Sequence, residues 1–558
     1  MAGCAMRFRP IASVNYASLA RLGRLIRTVR HLRPVQITNR LSRRLLRVAV
    51  PSGPLPPCRG VVAPWVEGAE RSQSLLAANR IDLIGRSADI SSTGIWRDPG
   101  MPKLWLYQLH YFDDLNATGA ASRIGWHRAL MDRWLAENPP GSAIAWDPYP
   151  ISLRVVNWIK WQVAGTGKLT AHDLSSLAHQ VRYLLPRLEH HLLGNHLLEN
   201  YKTLLIAGCF FASQEADAWR ERGLRGMHVQ LEDQLRADGA HNELAPMYQG
   251  ILTEGVLDSI NFLRVFGLAV PAWLEDAAAR MVGWGLSVAH PDGDWPQFND
   301  TALDTAPRPG ALAAYLSRMG LEARIPPPSL DAAFVREARG YWTLIADLGG
   351  LGPDHNPGHG HADNLTYELS MGPRRVVVDT GISTYEVDDA RARERSTAAH
   401  NTLEVEGCNS SEVWESFRVG RRAHTKRIVS GGEQGGVLAA AHDGYCHLPG
   451  SPVHMREWRW GDHALTIVDE IRSGSSHKLS TRIHLHPHYN VARHEGSRLV
   501  VLEGDRAIAH INAGNWTQLS ISDYQFAPRF GCLQDAKCIV LSARSSATTR
   551  FSYTIEGI

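Results

Sequence analysis

Acidic residues are absent from the first 66 positions, which carry twelve arginines in a chain whose formal net charge is only +3. The rest of the chain therefore sums to −9 (3 − 12), so the excess positive charge belongs to one arm. Within it, RLGRLIRTVRHLRP (21–34) has the spacing of a basic amphipathic helix. Two readings stand: contact with a polyanion or membrane surface, or a solvated helical arm docked on its own domain. No continuous apolar core of a signal peptide is present, so a cytoplasmic location is expected, with periplasm or export as the alternative. No run of about 18 apolar residues exists either, so no transmembrane helix is expected and only peripheral membrane contact of the arm remains. Cysteine is sparse. Seven are scattered without a CxxC pair, which excludes a zinc ribbon and points to reduced thiols rather than a disulfide framework.

What is present suits a globular protein of two or more domains: 558 residues, 44% hydrophobic and 21% charged. The first half carries apolar residues at helical spacing over 124–138, 150–165, 174–192, 195–212, 223–238, 252–268 and 273–289. Short connections between them suit an array of helical hairpins or an α/α toroid. IPPPSL (325–330) breaks the pattern, and short β-like runs punctuated by Gly, Asp and Asn follow. The expected fold class is α + β, a helical domain and then an antiparallel β-sandwich. The boundaries read as a basic arm over 1–66, a helical domain over 67–328 and a β domain over 329–558. A cleft between two such domains is a favoured ligand site. Seventeen tryptophans are available to stack on sugar rings, among them Trp105, Trp146, Trp158, Trp295 and Trp414, although most are expected to be packing anchors.

NPGHGHADNLTYELS (356–370) is the densest group of chemistry-bearing residues, and it reads as the opening of a strand. In extended chain His359 and His361 would share a face, roughly 6–7 Å apart. Asp379 after VVV and His400 before NTLEVEG are candidate partners. Two histidines and a carboxylate suit zinc better than calcium, which prefers all-oxygen sites; the competing reading is histidines capping strands. HGHADN fails the HxHxDH string of a metallo-β-lactamase at Asn364. It fails a cupin's string at Leu365.

The order and spacing of GNHLLENYKTLLIAG (194–208), HNPGHGHADNLTYELSMGPRRVVVDTGISTY (355–385) and RSTAAHNTLEVEG (395–407) resemble the heparinase II/III-type polysaccharide lyases, as do LWLYQLHYFDDL (104–115) and WDPYPISLRVVNWIKW (146–161). That resemblance implies an incomplete α/α toroid followed by antiparallel sheets. It implies His361, Asp379 and His400 as ligands of one structural zinc ion, and His359 as a catalytic histidine beside them. It also implies Asn195 or His196 as the group facing a substrate carboxylate, and Tyr248 of ELAPMYQG as the catalytic tyrosine. The implied partner is a uronate-containing acidic polysaccharide rather than nucleic acid, glycosaminoglycan-like ahead of alginate-like. The implied reaction is β-elimination, with non-catalytic carbohydrate binding in exopolysaccharide synthesis or export as the alternative.

These residue types suit that chemistry. An amide or a protonated imidazole on the uronate carboxylate makes the C5 proton removable. Asn195 also reads as a helix N-cap. A tyrosine can act as base and acid if neighbours lower its pKa from about 10. Glu199, three residues after His196, is a candidate to orient it or touch substrate. Trp146 is a candidate sugar platform. Arg418, with Arg421 and Arg422, is a candidate for binding acidic groups. HLHPH (484–488) reads as a strand end.

Overall fold

A computed structural model of the protein describes residues 16–45, 51–329, 331–429, 436–461, 463–494 and 496–558. Two helices come first, α1 (Tyr16–Val29) and α2 (Pro34–Leu45). The chain from 51 to 66 then lies extended on the helical domain, where Arg59 N donates to Phe210 O at 2.7 Å and Val62 N to Val265 O at 2.9 Å.

The helical domain comprises α3 (Lys103–Leu109), α4 (Ile124–Glu137), α5 (Pro148–Val163), α6 (Ala171–Leu184), α7 (Gly194–Phe210), α8 (Gln214–Gln234), α9 (Pro246–Val265), α10 (Ala272–Val288) and α11 (Pro309–Arg318). Local chemistry sets their ends. Thr170 and Asp173 form a reciprocal capping box on α6, and the Ser213 side chain accepts from Ala216 N to start α8 nine residues before its apolar periodicity begins. Prolines open α5, α9 and α11, where a missing N–H costs nothing. Pro186 ends the expected helix 174–192 early, turning its last part into a short 3₁₀ segment. α7 is the hub, packed on α5, α8 and α9.

From Phe334 onward the chain forms antiparallel sheets of eight, four and four strands and one two-stranded pair among the described residues. The first four-stranded sheet, Phe334–Arg339 to Arg374–Val377 in chain order, adjoins the helices. Phe334 and Ile345 belong to the helical core, and Phe334 packs 5.3 Å from Phe298 and 5.8 Å from Trp284, centroid to centroid. Polar bonds join the domains as well. His290 Nδ1 lies 2.8 Å from Ser370 Oγ, and Gln297 N donates to Glu368 Oε1 at 3.0 Å. The segment 290–304 after α10 is thus inserted into the β domain.

Candidate functional site

Residues 356–366 are irregular, and the strand begins only at Tyr367, so His359 and His361 are not alternate residues of a strand. They converge by another route. His359 Nδ1 lies 2.9 Å from Asp300 Oδ2, and His361 Nε2 lies 2.8 Å from Asp300 Oδ1. Arg391 Nη2 donates to Asp300 Oδ2 at 2.8 Å. Burial alone would lift the Asp300 carboxyl, but the Arg391 guanidinium and the two imidazoles hold it well below the usual carboxylate range. An ionised Asp300 can only accept, so His359 donates to it from Nδ1 and presents Nε2 on the cavity side of the ring.

Asn195 and His196 open α7 through two residues of left-handed backbone, Leu193 (φ 64°) and Gly194 (φ 54°). Only glycine fits at 194, because a Cβ there would lie 1.9 Å from Glu243 Oε1. The close approach lets Glu243 accept from Asn195 N at 3.1 Å, from Asn195 Nδ2 at 2.7 Å and from Asn356 Nδ2 at 2.9 Å. Asn195 is therefore not an N-cap; its side chain is clamped by Glu243, with Nδ2 3.4 Å from His359 Nε2. The His196 ring lies 4.4 Å from that of Tyr149, tilted by 43°, and places Nδ1 3.2 Å from Glu189 Oε2. Burial opposes its protonation, but the Glu189 carboxylate outweighs this and raises its pKa.

Tyr248 is the third residue of α9. Its ring lies 4.0 Å from the His359 ring, and its hydroxyl is 3.2 Å from that of Tyr385. Burial raises its pKa, and the bond from Tyr385 offsets this only in part. The expected lowering is thus reversed: in this pocket desolvation of a phenolate outweighs the nearby donors, and Tyr248 stays protonated at neutral pH.

Asn195, His196, Tyr248 and His359 line one cavity of ≈ 450 Å³ between the domains. Arg71, Lys103, Lys160 and Lys202 also line it, and Arg71 pairs with Glu254 while Lys160 Nζ lies 2.9 Å from Asp258. The Lys103 backbone N donates to Glu386 Oε1 at 3.1 Å, and its ammonium lies 4.9 Å over the Tyr107 ring, without an ion pair among the described residues. The aromatic wall is Tyr107, Tyr111, Tyr149, Tyr385, Phe417 and Phe530, with no tryptophan.

Three expected substrate contacts are not at the cavity wall. Trp146 is buried against Trp134 and donates Nε1 to Asn138 O at 3.0 Å, as a packing anchor. Glu199 is buried and ion-paired with Lys202, so it is Lys202 that faces the cavity and Glu189 that orients His196. Arg418 lies outside, beside Glu415 at 3.2 Å and over Trp414. Arg421 and Arg422 pair with Glu412 and Asp354. In HLHPH, His484 ends a strand and bonds Asn401, while His488 lies 2.9 Å from Glu503.

The expected metal ligands lie close together. His361 Nδ1, His400 Nε2 and Asp363 Oδ2 are buried without hydrogen-bond partners, and the two rings are 5.4 Å apart. Asp379 is engaged differently: Oδ2 lies 2.7 Å from His400 Nδ1, and Oδ1 accepts from Gly381 N. Two bare imidazole nitrogens and an unpaired carboxylate oxygen are donor types that zinc takes. No group of three or more His, Cys, Asp or Glu closes round a common point among the described residues.

Asp300, Arg391, Glu243, Tyr385 and Glu189 carry much of this geometry and are not evident from motif spacing. One signal points to Asp300: the polar stretch HPDGDWPQFNDTALDTAPR (290–308) is too long for an ordinary helix connection.

The architecture defines the class. A helical domain followed by antiparallel sheets, with an intervening cleft, is the fold of heparinase III, whose crystal structure superposes with TM-score 0.66 over 86% of this chain and 80% of that one, at 16% identity. Family models for the heparinase II/III N-terminus and the heparinase II/III-like C-terminal region match residues 97–316 and 325–554, and the chain belongs to this family. A heparin-sulfate lyase of Pedobacter heparinus is 26% identical over 318 residues, 50% of this chain and 47% of its own. FtsZ-localized protein C of Caulobacter vibrioides is 24% identical over 449 residues, 75% of each chain. The chain spans less than half the length of the curated heparin-sulfate lyases it matches.

Proposed function

We propose that this protein is a polysaccharide lyase that cleaves a uronate-containing acidic polysaccharide, glycosaminoglycan-like ahead of alginate-like, by β-elimination. The observation that carries the proposal is the convergence of Asn195, Tyr248 and an Asp300-oriented His359 on one cavity. Asn195 and protonated His196 neutralise the uronate carboxylate, so that charge developing as C5 loses its proton is accommodated. His359 Nε2 takes that proton. The C5–H electron pair becomes the C4–C5 double bond as the C4–O4 bond breaks, and the neutral Tyr248 hydroxyl protonates the departing O4. The Lys103 ammonium, over the Tyr107 ring, attracts a flanking anionic group.

The test is incubation with hyaluronan, chondroitin, heparosan, heparan sulfate and alginate, read by the ultraviolet absorbance of the unsaturated uronate. Absorbance growth on one or more polymers is expected. A wholly silent panel with folded protein would favour non-catalytic binding of such a polymer, a reading supported by the 75% match to a protein named for its localisation rather than for a reaction. The retained Tyr248, His359 and Asn195 argue against it.

The charge on His196 gives a pH dependence. Its pKa lies above the ordinary 6.5, so the cationic form is present below that value and is lost as pH rises through the raised pKa. KM is expected to climb over that upper window. In Glu189→Gln the climb comes at lower pH; an unchanged KM–pH profile in that variant removes His196 from carboxylate binding.

Zinc, where bound, would be held by His361 Nδ1 and His400 Nε2 with a carboxylate from Asp379 or Asp363, and would supply cohesion to the wall behind His359. Metal analysis is expected to find about one zinc per chain and its loss in His361→Ala. Zinc absent from the wild type, or undiminished in the variant, removes the site.

A further inference from the structure

Helices α1 and α2 are mounted inside out. A surface helix normally turns its apolar stripe to the protein and its polar face to water. Here the polar faces are docked. Arg27 donates to both oxygens of Glu412, at 2.8 and 2.7 Å, and Trp414 Nε1 donates to Thr28 Oγ1 at 3.1 Å. Arg33 grips Asp233 through two bonds of 2.7 and 2.9 Å. Gln36, buried, donates to His355 O at 3.2 Å, and Arg43 donates to Arg187 O at 3.3 Å. The anchors therefore bridge the helical domain (Asp233, Arg187) and the β domain (Glu412, His355).

The outward faces are apolar. Leu22, Leu25, Ile26 and Val29 recur at spacings of three and four along α1 and are all exposed. Ile37, Leu41 and Leu45 follow at intervals of four on the outer side of α2, with Leu41 53% and Leu45 80% exposed. Arg21, Arg30, Arg40 and Arg44 are exposed on or at the end of the same pair of helices, while Arg24 is drawn to Glu412 on the docked side. Nothing among the described residues covers it.

We propose that the α1–α2 pair docks the protein on an anionic bilayer surface. Apolar stripes of this kind enter the headgroup–acyl boundary while arginines reach lipid phosphates along their apolar stems. Charge selects this occupant over others. A second copy would bring arginine rows against arginine rows, with no acidic residue in either arm to pair them. A soluble polyanion would engage the arginines but leave the leucine and isoleucine stripe in water. Helix α2 also reaches the wall of the cleft, since Gln36 donates to the carbonyl of His355, the residue immediately before Asn356, which lines the cavity. The inference does not depend on the lyase reading.

The test is flotation of the full chain with phosphatidylcholine vesicles, with and without phosphatidylglycerol, at low and high salt. Co-flotation with the anionic vesicles is expected, weakened by salt. The triple variant Leu22→Ser, Ile26→Ser, Leu41→Ser is expected to reduce it by about tenfold with an unchanged thermal melt, since all three side chains are exposed. Wild-type protein that remains with the soluble fraction at low salt overturns the proposal. So does anionic-vesicle binding that the triple substitution leaves intact, which would be charge alone. A dimer that the triple variant dissociates, seen by light scattering, assigns the surface to a second copy instead.

Discussion

Replacing Tyr248 by phenylalanine is expected to lower kcat on the preferred polymer by about 10²–10⁴-fold while leaving KM nearly unchanged. The ring remains, so its 4.0 Å contact with the His359 ring persists and binding is expected to change little. The hydroxyl proposed to protonate O4 is lost, and Tyr385 loses its 3.2 Å partner. The tyrosine's raised pKa sharpens this prediction, since its proton is present at neutral pH and its removal is felt at the leaving-group step. Initial rates of unsaturated uronate formation measure the effect. Turnover within a few-fold of wild type would eliminate Tyr248 as the acid.

The second large effect belongs to Asp300→Asn. Asparagine keeps the shape but removes the charge that Arg391, His359 and His361 all address. Leaving Arg391 buried without its counter-charge is expected to cost about 3–5 kcal/mol of stability, read as a lowered denaturation midpoint. A separate loss of about 10²–10⁴-fold in kcat is expected at temperatures where circular dichroism shows the variant folded, because the amide no longer fixes the His359 tautomer. Asp300 is a positioning residue, so KM is expected to move little. A kcat loss that vanishes once the folded fraction is corrected would reduce its role to stability alone.

Much of the architecture is legible in the chain because hydrophobic period changes at one place. Helical spacing runs to residue 289, and β texture follows IPPPSL. Helix ends were less legible where caps, not periodicity, decide them, as at Ser213 and Pro186. Within the site, Asn195, His196, Tyr248 and His359 stood out as residue types in motif strings, and they share one cavity. Their supports did not stand out. Glu243 and Asp300 act across 48 and 59 positions of sequence, Glu243 through a close backbone approach at Gly194 that has no local signature, Asp300 from an inserted loop whose length marks the segment but not the residue. Trp146 and Glu199 misled because residue type alone does not distinguish a packed or ion-paired side chain from one at a cleft.

The insertion of 290–304 has a consequence for how the molecule is born. Asp300 emerges from the ribosome before every group that neutralises it, with His359, His361 and Arg391 following 59, 61 and 91 residues later. At ordinary elongation rates of about 5–20 residues per second, that leaves roughly 5–20 seconds before Arg391 is available. A nascent or truncated chain ending with the helical domain would own Asn195, His196 and Tyr248 but no His359, and would present an uncompensated carboxylate where the second domain belongs. The cavity that brings Asn195, Tyr248 and His359 together therefore closes only once the second domain is made.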